Sequence, residues 1–390
     1  MSAFQRVQLK EVVRDVETWN PLKAGTDETF HYIDLSAVDQ DSKRIIGARE
    51  IPCGDAPSRA RQLVKQDDVL VATVRPNLNG VAIVPPELHE ATASTGFCVV
   101  RPDPEKLAPN YLFHWVKTEA FVSAMVKQAT GASYPAVSDK IVLGSSIPLP
   151  SLPEQRRIAS ILDKADSLRA KRREALVHLE SLSQSIFIEM FGDPVSNPLG
   201  LEKVALASVS EIATGSTPSR ASGEYYGGSI PWVKTTEVLG KPIFDTEEKL
   251  TDAGFKAMRG KLHPVDSIVV AMYGQGQTRG RCGLLKIAAS CNQACGVIKP
   301  SPKFNSLFMF QQLQMAYEQL RALGRGGNQE NLNLQLLGGF EVLLPSLTMQ
   351  NNFVKRLEVI NKAMSSQRDA HFKCDALFST LQHSAFRGEL

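Results

Sequence analysis

The longest helical pattern in the chain covers residues 149–193, and a second copy of it lies 195 positions further along. The shift places Leu149-Pro150-Ser151-Leu152 on Leu344-Pro345-Ser346-Leu347 and Phe191 on Phe386, with no insertion between them. The prolines predict that one helix begins after Pro153 and the other after its counterpart Thr348. A helix of about forty residues would be roughly 60 Å long, which suits a spacer between domains better than a core helix.

Apolar residues recur every seven positions in both copies, in two series of which the second lies three residues after the first. The pattern predicts that the helices pair antiparallel as a coiled coil, and the same positions are candidates for contact with partner subunits. The first copy supplies Ile158, Ala165, Leu179 and Ile186, then Ile161, Leu168, Ala175 and Leu182; the second supplies Phe353, Ile360, Cys374 and Leu381, then Ala363, Ala370 and Leu377; Leu162 and Leu357 also match.

Arg172 and Gln367 interrupt this pattern at the same place in the two copies. Polar residues at such positions commonly fix the register and orientation of paired helices. Two readings stay open: the two residues fix the register, or they face solvent at the end of the contact. The sequence also leaves open that the two helices are unrelated and that each packs on its own domain.

The segments before the two helices follow one plan of short strands and helices. The pattern predicts an α+β fold with mixed domains at residues 1–148 and 196–343, long helices at 149–195 and 344–390, and a pseudo-two-fold internal repeat. In the first domain it predicts a hairpin of Val69–Val74 and Gly80–Val84, a strand Phe97–Pro102 and a helix Pro109–Gln128. In the second it predicts strands Ser267–Tyr273 and Gly296–Pro300 and a helix Asn305–Leu323.

Composition neither demands nor excludes a nucleic-acid partner, because 44 basic and 41 acidic residues leave a net charge of only +3. The chain has no apolar run long enough to span a bilayer and no signal-peptide pattern at its N-terminus, so we expect a cytoplasmic protein. The six cysteines are expected to be free thiols. Only Cys291 and Cys295 lie close together, and a single pair without a second ligand pair predicts no metal site.

Loops rich in glycine, hydroxyl, amide and arginine residues occur at matching places in both domains. These residue types read base edges and phosphates, and duplex DNA has the local two-fold symmetry to accept two related domains at two half-sites. The predicted DNA-binding residues are Arg75, Asn77, Asn79, Ser133 and Tyr134 in the first domain, and Ser216, Thr217, Arg220, Tyr225, Lys234, Thr235, Tyr273, Gln275, Gln277, Arg279, Arg281 and Asn328 in the second.

Motifs of catalysis are missing from the sequence. It contains no GxxxxGK[ST] loop and no HExxH, and its Asn-Pro pairs, at residues 20–21 and 197–198, are not the NPPY or DPPY of an amino-methyltransferase. Glu247-Glu248-Lys249 reads as an exposed charge run. We therefore predict no catalytic centre and no metal ligand.

The stretch LPSLPEQRRIASILDKAD, the long helix after it ending in FGD, and the second copy ending in AFRGEL resemble the specificity subunit of type I restriction-modification enzymes, often called HsdS. The resemblance covers the whole chain. It implies a non-catalytic subunit of an adenine-N6 DNA methyltransferase complex that reads a bipartite target and joins two methylation subunits (HsdM) and two restriction and translocation subunits (HsdR). The second copy departs from the family's PEQ pattern with Thr348-Met349-Gln350, so the two partner-binding surfaces need not be equivalent.

The same resemblance implies no cofactor in this subunit, whereas the complex would use S-adenosylmethionine, and ATP with Mg²⁺ when the restriction subunit is present. It implies double-stranded DNA as a partner and no membrane. Two other functions remain as alternatives: a coiled-coil scaffold without a DNA role, and a self-contained DNA methyltransferase or nuclease, which the missing motifs disfavour.

Overall fold

The structure, a computed structural model, describes residues 4–25, 27–274, 277–324 and 331–390. It divides into two compact units, one of Met1–Ala175 with Gln367–Leu390 and the other of Leu176–Ser366. Each unit contains a sheet-bearing domain and half of each long helix. We call these parts domain 1 (residues 4–148) and domain 2 (residues 203–343).

Domain 1 is built from short strands and three helices, followed by the first long helix. The strands are β1 (Arg6–Gln8), β2 (Val13–Arg14), β3 (Thr29–Ile33), β4 (Val38–Asp39), β5 (Arg44–Ile45), β6 (Arg49–Pro52), β7 (Ala60–Leu63), β8 (Val69–Ala72), β9 (Val81–Ile83), β10 (Thr92–Ser94), β11 (Phe97–Pro102) and β12 (Ser146–Pro148). The helices are α1 (Pro109–Val116), α2 (Glu119–Gln128), α3 (Asp139–Leu143) and the long α4 (Leu152–Phe191).

Domain 2 has the same kinds of element, followed by the second long helix. The strands are β13 (Lys203–Ala205), β14 (Ile212–Thr214), β15 (Tyr226–Val233), β16 (Pro242–Ile243), β17 (Glu248–Leu250), β18 (Ile268–Ala271), β19 (Cys282–Leu285), β20 (Ser290–Cys291), β21 (Cys295–Ile298) and β22 (Glu341–Leu343). The helices are α5 (Leu206–Val209), α6 (Asp252–Ala257), α7 (Ser306–Met315), α8 (Tyr317–Ala322), α9 (Leu334–Gly338) and the long α10 (Leu347–Arg387).

Sheet topology repeats between the domains. The order β2-β11-β8-β9 in domain 1 matches β14-β21-β18-β19 in domain 2, β6-β3-β10 matches β17-β15-β20, and β1-β12 matches β13-β22. The turn before the central strand repeats as well, because Asp67 and Asp266 both have left-handed backbone, with φ of 69° and 65°. The predicted mixed fold with an internal repeat is therefore confirmed.

Several predicted boundaries were wrong. The long helices begin at Leu152 and Leu347, before Pro153 and Thr348, because the first turn of a helix tolerates a proline that lacks an N–H. The predicted hairpin forms, but β8 ends at Ala72, since the backbone of Thr73 bonds Gly96 and Val137 instead. In the same way β18 and β21, at Ile268–Ala271 and Cys295–Ile298, are shorter than the predicted strands.

The two helices predicted at Pro109–Gln128 and Asn305–Leu323 are each broken in two. In domain 1 the break between α1 and α2 falls at Thr118, whose hydroxyl donates to Trp115 O over 2.7 Å and accepts from Phe121 N over 3.2 Å. A threonine that bonds nearby backbone groups in this way caps a new helix more readily than it continues an old one. In domain 2 the break falls at Ala316, between α7 and α8.

The two long helices bury the first predicted apolar series but not the second. Ile158, Phe353 and Ile360 are buried, and Ile186 and Leu381 are half-buried. The structure buries a different second series from the predicted one. It starts at Leu162 and Leu357, four residues after Ile158 and Phe353, whereas the predicted series starts three residues after them. It continues through Arg169, Leu176, Ser183 and Met190 in α4, and through Met364, His371, Phe378 and Ala385 in α10.

Three residues that were predicted to lie in the contact between the two long helices, here called the seam, are exposed instead. The exposed fractions are 44% for Leu168, 44% for Leu182 and 53% for Leu377. Ile161 is half-buried at the border of the seam, and Leu179 is half-buried within it. Apolar residues occupy both the i+3 and the i+4 positions in these helices, so spacing alone did not distinguish the inward-facing series.

Arg172 and Gln367 contact each other and are half-buried, so the reading in which they face solvent at the end of the contact is wrong, and their role in fixing the register stays a prediction. Arg172 Nη1 donates to Gln367 Oε1 over 2.7 Å in unit 1. The residues are equivalent in the two copies, and in an antiparallel pair only residues near the midpoint of the overlap can meet their own equivalents. Three residues away, Arg169 Nε donates to Asp375 Oδ1 over 2.6 Å.

A buried glutamine joins each long helix to the domain that precedes it. Gln155 accepts a hydrogen bond from Ala108 N (2.8 Å) and donates to Lys106 O and Pro150 O (2.9 Å each), immediately before α1. Its counterpart Gln350 accepts from Asn305 N, immediately before α7, and donates to Pro345 O, both over 2.8 Å. The glutamine is the part of the PEQ motif that the second copy retains.

Candidate nucleic-acid interface

Four segments of domain 2 meet at one edge of its sheets. β14 and β18 end there, at Thr214 and Ala271, and β21 begins there, at Cys295, because the three strands are antiparallel neighbours. β15 ends beside the same edge, since Asn292 N donates to Val233 O over 3.0 Å. The loops that leave this edge carry the residues predicted from sequence, so the fold brings together residues that are far apart in the chain.

Arg220 lies at the centre of a contact group, which we call the Arg220 cluster. Its guanidinium lies 4.5 Å from the ring centroid of Tyr226 and 5.2 Å from that of Trp232. Trp232 is in turn held by a hydrogen bond from Nε1 to Ser216 O, at 3.0 Å. Arg220 Nη1 pairs with Glu248 Oε2 over 2.7 Å. An arginine stacked on rings keeps donors free at its edge, which suits it to bases and phosphates.

Glu248 joins Lys234 to the Arg220 cluster. Lys234 Nζ lies 2.9 Å from Glu248 Oε1 and 3.0 Å from Glu247 Oε2. The hydrogen bond from Arg220 and then that from Lys234 lower the pKa of Glu248 below its ordinary value, so the carboxylate is ionised at neutral pH. Glu247-Glu248, predicted as an exposed charge run, therefore holds two of the candidate cations.

Ser216 and Thr217 of the glycine-rich loop are bound to the end of β20 and to the turn that follows it. Ser216 N donates to Cys291 O over 2.9 Å, and the Thr217 hydroxyl bonds the side chain of Gln293. A Cβ on Gly215 would lie 1.7 Å from Cys291 O, so only glycine permits this close approach. The loop is thus seated on a fixed part of the sheet.

The loop between β18 and β19 packs on helix α8. Tyr317 Oη donates to Gln277 O over 2.7 Å and accepts from Arg321 Nη1 over 3.0 Å. Gln277 Oε1 accepts from Arg281 Nη2 over 2.8 Å. Arg279 lies against Gly324, and Tyr273 is 42% exposed at the start of the loop.

The equivalent edge of domain 1 brings Arg75 and Tyr134 together. Arg75 has left-handed backbone, with φ of 51°, and its N–H donates to Pro135 O over 2.7 Å. Its guanidinium lies 4.8 Å from the centroid of the Tyr134 ring, which is 68% exposed. Asn77 is exposed in the same loop, and Ser133 is exposed next to Tyr134. Asn79 O accepts from Lys43 Nζ over 2.6 Å.

Three predicted residues need separate mention. Gln275 and Asn328 lie outside the described residues. The ring that stacks on Arg220 is that of Tyr226, whereas Tyr225 lies beside α6, where a Cβ on Gly254 would be 2.4 Å from Tyr225 O. Tyr225 ends a short 3-10 helix, whereas Tyr226 begins β15 and its ring centroid lies 6.2 Å from that of Trp232.

Residues that the sequence analysis missed also lie at these edges. They are Tyr226, Trp232, Glu248, Gln293, Tyr317 and Arg321 in domain 2, and Lys43 in domain 1. Only Tyr226 had a sequence signal, through its place in the Tyr225-Tyr226-Gly227-Gly228 turn. The others approach the edge through tertiary structure.

A buried thiol pair lies beneath the domain 2 edge. The neighbouring thiol of Cys295, and after it the imidazole of His263, lower the pKa of Cys291 below its ordinary value, against the opposing effect of burial. The same contact, together with burial, raises the pKa of Cys295. All six cysteines are unpaired, and within the described ranges no group of three His, Cys, Asp or Glu side chains is arranged to hold a metal ion. No helix in the described part of the chain is both long and apolar enough to cross a membrane.

Comparisons with known proteins point to one class. The sequence profile described as "Type I restriction modification DNA specificity domain" matches residues 62–178 and 198–370. The chain is 22% identical over 445 residues to the type I restriction enzyme HindI specificity subunit of Haemophilus influenzae, covering 94% of this chain and 95% of that protein. It is 23% identical over 290 residues to the EcoR124I/EcoR124II specificity subunit of Escherichia coli, covering 71% and 69%.

Solved structures of the same class share the fold. A chain from a study of complex assembly and conformational transition of the type I restriction-modification system aligns with a TM-score of 0.64 and 25% identity, over 100% of this chain and 99% of that one. The S subunit of a type I system from M. genitalium aligns with a TM-score of 0.59 and 12% identity, over 98% and 96%. Two sheet domains with long helices thus define a specificity protein of type I systems. The chain belongs to the type I restriction modification DNA specificity domain family.

Proposed function

We propose that the chain is the sequence-reading subunit of a type I restriction-modification complex and that each domain reads one half of a two-part DNA target. The observation that carries this proposal is that each domain has an arginine stacked on aromatic side chains at the equivalent sheet edge, although the two arginines come from different loops. Domain 1 presents Arg75 stacked on Tyr134, and domain 2 presents Arg220 stacked on Tyr226 and Trp232. Arginines in such settings bind phosphates or the O6 and N7 atoms of guanine.

In this proposal the chain is non-catalytic and needs no cofactor of its own. Two methylation subunits would bring S-adenosylmethionine, and two restriction subunits would bring ATP and Mg²⁺. Binding of S-adenosylmethionine to the isolated chain would favour a self-contained methyltransferase instead. A gel shift with DNA of random sequence, with and without methylation subunits, separates the proposal from a scaffold without a DNA role, which would shift no DNA in either case.

Substitution of the loop arginines tests the reading residues. Each of Arg75→Ala, Arg220→Ala, Arg279→Ala and Arg281→Ala should cost about 1–3 kcal/mol of binding if the arginine contacts a base, and should relax one position of the target. An arginine that contacts a phosphate should instead weaken binding to all sequences alike. The measurements are affinity at several salt concentrations and the methylated sequence motif.

Arg14→Ala is the matched control for these variants. Arg14 is an exposed arginine of domain 1 that pairs with Asp103 over 2.9 Å at the opposite end of the sheet. Its substitution should change neither the affinity nor the motif. The loop assignment is wrong if all four loop variants behave like Arg14→Ala.

Exposed apolar side chains on the long helices support a contact with the methylation subunits. Besides Leu168, Leu182 and Leu377, Phe372 is 76% exposed and Val359 is 72% exposed. Large apolar groups that are left in water on helices commonly mark protein-protein contacts. We propose that these side chains contribute to docking of the methylation subunits in each unit. This is the predicted role of Leu168, Leu182 and Leu377, whereas Phe372 and Val359 were not among the predicted residues.

Phe372→Glu combined with Leu377→Glu should abolish co-purification of the methylation subunits, because it places two carboxylates in an apolar contact. Lys256→Glu changes an exposed lysine of α6, outside the long helices, and is the control. Retained co-purification with the double variant would show that the docking surface lies elsewhere. Unchanged thermal unfolding of the isolated chain would establish that the variant is folded.

A further inference from the structure

An ion pair occupies the same place in both domains with its charges reversed. In domain 1, Asp34 follows β3 and its Oδ2 lies 3.3 Å from Nη2 of Arg49 on the neighbouring strand β6. In domain 2, Lys234 follows β15 and its Nζ lies 2.9 Å from Oε1 of Glu248 on the neighbouring strand β17. The acidic residue follows β3 in domain 1, whereas the basic residue follows the equivalent strand β15 in domain 2.

Strand register establishes that these positions are equivalent. Tyr32 pairs with Arg49 across β3 and β6, and Trp232 pairs with Glu248 across β15 and β17. On the other side of the central strand the pairing is parallel in both domains, through β10 and β20. Asp34 and Lys234 also each stand at the N-terminus of a short 3-10 helix, Leu35–Ala37 and Thr235–Glu237.

Both pairs lie beside the candidate DNA-binding loops. In domain 1 a Cβ on Gly96 would lie 2.9 Å from Leu35 Cδ1, and Gly96 O accepts from both the N–H and the hydroxyl of Thr73, two residues before Arg75. In domain 2 Glu248 joins Lys234 to the Arg220 cluster. The ion pair of domain 2 is therefore part of the Arg220 cluster, and that of domain 1 is linked to the Arg75 loop through Leu35, Gly96 and Thr73.

Exposure and hydrogen bonding indicate which member of each pair is available. The Arg49 side chain is 66% exposed, whereas Asp34 is 30% exposed and already accepts from the backbone and hydroxyl of Ser36 at 2.8 Å and 2.6 Å. In domain 2 the carboxylate of Glu248 lies between two cations and is 30% exposed, whereas Arg220 is 55% exposed. In each domain a carboxylate holds a cation that solvent can reach.

Resting on the proposed function, we propose that this cross-strand ion pair is a specificity element of each domain. Arg49 contacts the first half-site and is held by Asp34. Glu248 is a positioning residue that orients Arg220 and Lys234 toward the second half-site. A cation held by a carboxylate approaches a guanine edge or a phosphate in one orientation. Because the charges are reversed, the cation of the pair lies on β6 in domain 1 but follows β15 in domain 2. The two domains can thereby read different sequences with one fold.

The test uses the full chain with its methylation subunits and maps the methylated motif for Arg49→Gln and Glu248→Gln. Arg49→Gln should reduce discrimination at one position of the first half-site by about 5- to 150-fold and leave the second half-site unchanged. Glu248→Gln should relax the second half-site alone. Arg14→Gln and Glu211→Gln are the controls, because their ion pairs with Asp103 and Lys299 lie at the opposite ends of the sheets, and neither should alter the motif.

A purely structural role of the pair would lower methylation of all sequences equally and leave the motif intact, and this result would overturn the inference. So would a variant that changes the half-site of the other domain. The inference and the proposed function fail in different ways. An altered motif with Arg75→Ala beside unchanged motifs with Arg49→Gln and Glu248→Gln overturns only the inference, whereas a wild-type complex that methylates no two-part sequence overturns both.

Discussion

Gln155→Leu should lower the free energy of unfolding by about 1–3 kcal/mol, because leucine leaves the buried N–H of Ala108 without a partner and removes the bonds to the part-buried carbonyls of Lys106 and Pro150. Each buried group that loses its hydrogen bond costs about 1–3 kcal/mol. Gln155 is fully buried, so water cannot replace the side chain without rearrangement. Denaturant unfolding of the isolated chain measures the effect.

Two further substitutions define the comparison for Gln155→Leu. Gln350→Leu removes the equivalent residue, which bonds Asn305 N and Pro345 O, and should also destabilise the chain, in unit 2. Gln128→Leu changes an exposed glutamine at the end of α2 and should alter stability by less than about 0.5 kcal/mol. A Gln155→Leu protein as stable as Gln128→Leu would show that the glutamine does not join the helix to its domain.

The contacts of Gln155 show why some features of the fold could be predicted from the sequence and others could not. The shared register of the two copies was visible because Leu149-Pro150-Ser151-Leu152 recurs as a block, and the equivalence of Arg172 and Gln367 followed from it. The role of Gln155 was not visible, because two of its three partners, Ala108 and Lys106, lie 47 and 49 residues earlier in the chain. A glutamine beside charged residues looks like a helix surface until those backbone groups are placed.

Some residues of the candidate DNA-binding site could likewise be predicted from the sequence, and others could not. Arg75 and Arg220 stood out because each lies in a turn with glycine or proline nearby. Glu248 looked like part of a surface charge run, and the reversal of the Asp34–Arg49 pair became apparent only from strand register. The prediction that Leu168 and Leu182 lie in the contact between the two long helices was wrong for a simpler reason. A leucine can pack in an interface with another protein as well as in one within the chain.

A fragment of residues 1–195 should form a weak homodimer, and two substitutions should strengthen it. In such a dimer a second copy of α4 replaces α10. Arg172 would then face Arg172 in place of Gln367, and Ser183 would replace Phe378, whose ring lies 5.5 Å from Lys117 Nζ and 4.5 Å from the Arg169 guanidinium. Arg172→Gln replaces the two facing arginines by glutamines that can hydrogen-bond each other, and Ser183→Phe restores the ring beside Lys117 and Arg169. The double substitution should tighten the dimer at least about tenfold, since each cation-π contact contributes about 0.5–2 kcal/mol and occurs twice.

Sedimentation over a range of concentrations measures this difference, and Lys171→Gln is the control because it removes one exposed positive charge beside the seam. A symmetric dimer presents two copies of domain 1, so with methylation subunits its target should be an interrupted palindrome of the first half-site. Equal dimerisation of the unaltered and the doubly substituted fragments would show that the paired polar and aromatic residues do not select α10 as the partner of α4.

The measurement that most directly tests the central claim is a map of methylated bases in DNA from cells that express this chain with its methylation subunits. Two domains of one plan, each with an arginine and aromatic rings at the same sheet edge, predict two short specific blocks separated by a gap of fixed length without sequence preference. A single uninterrupted block, or methylation that does not depend on this chain, would contradict the assignment of one half-site to each domain.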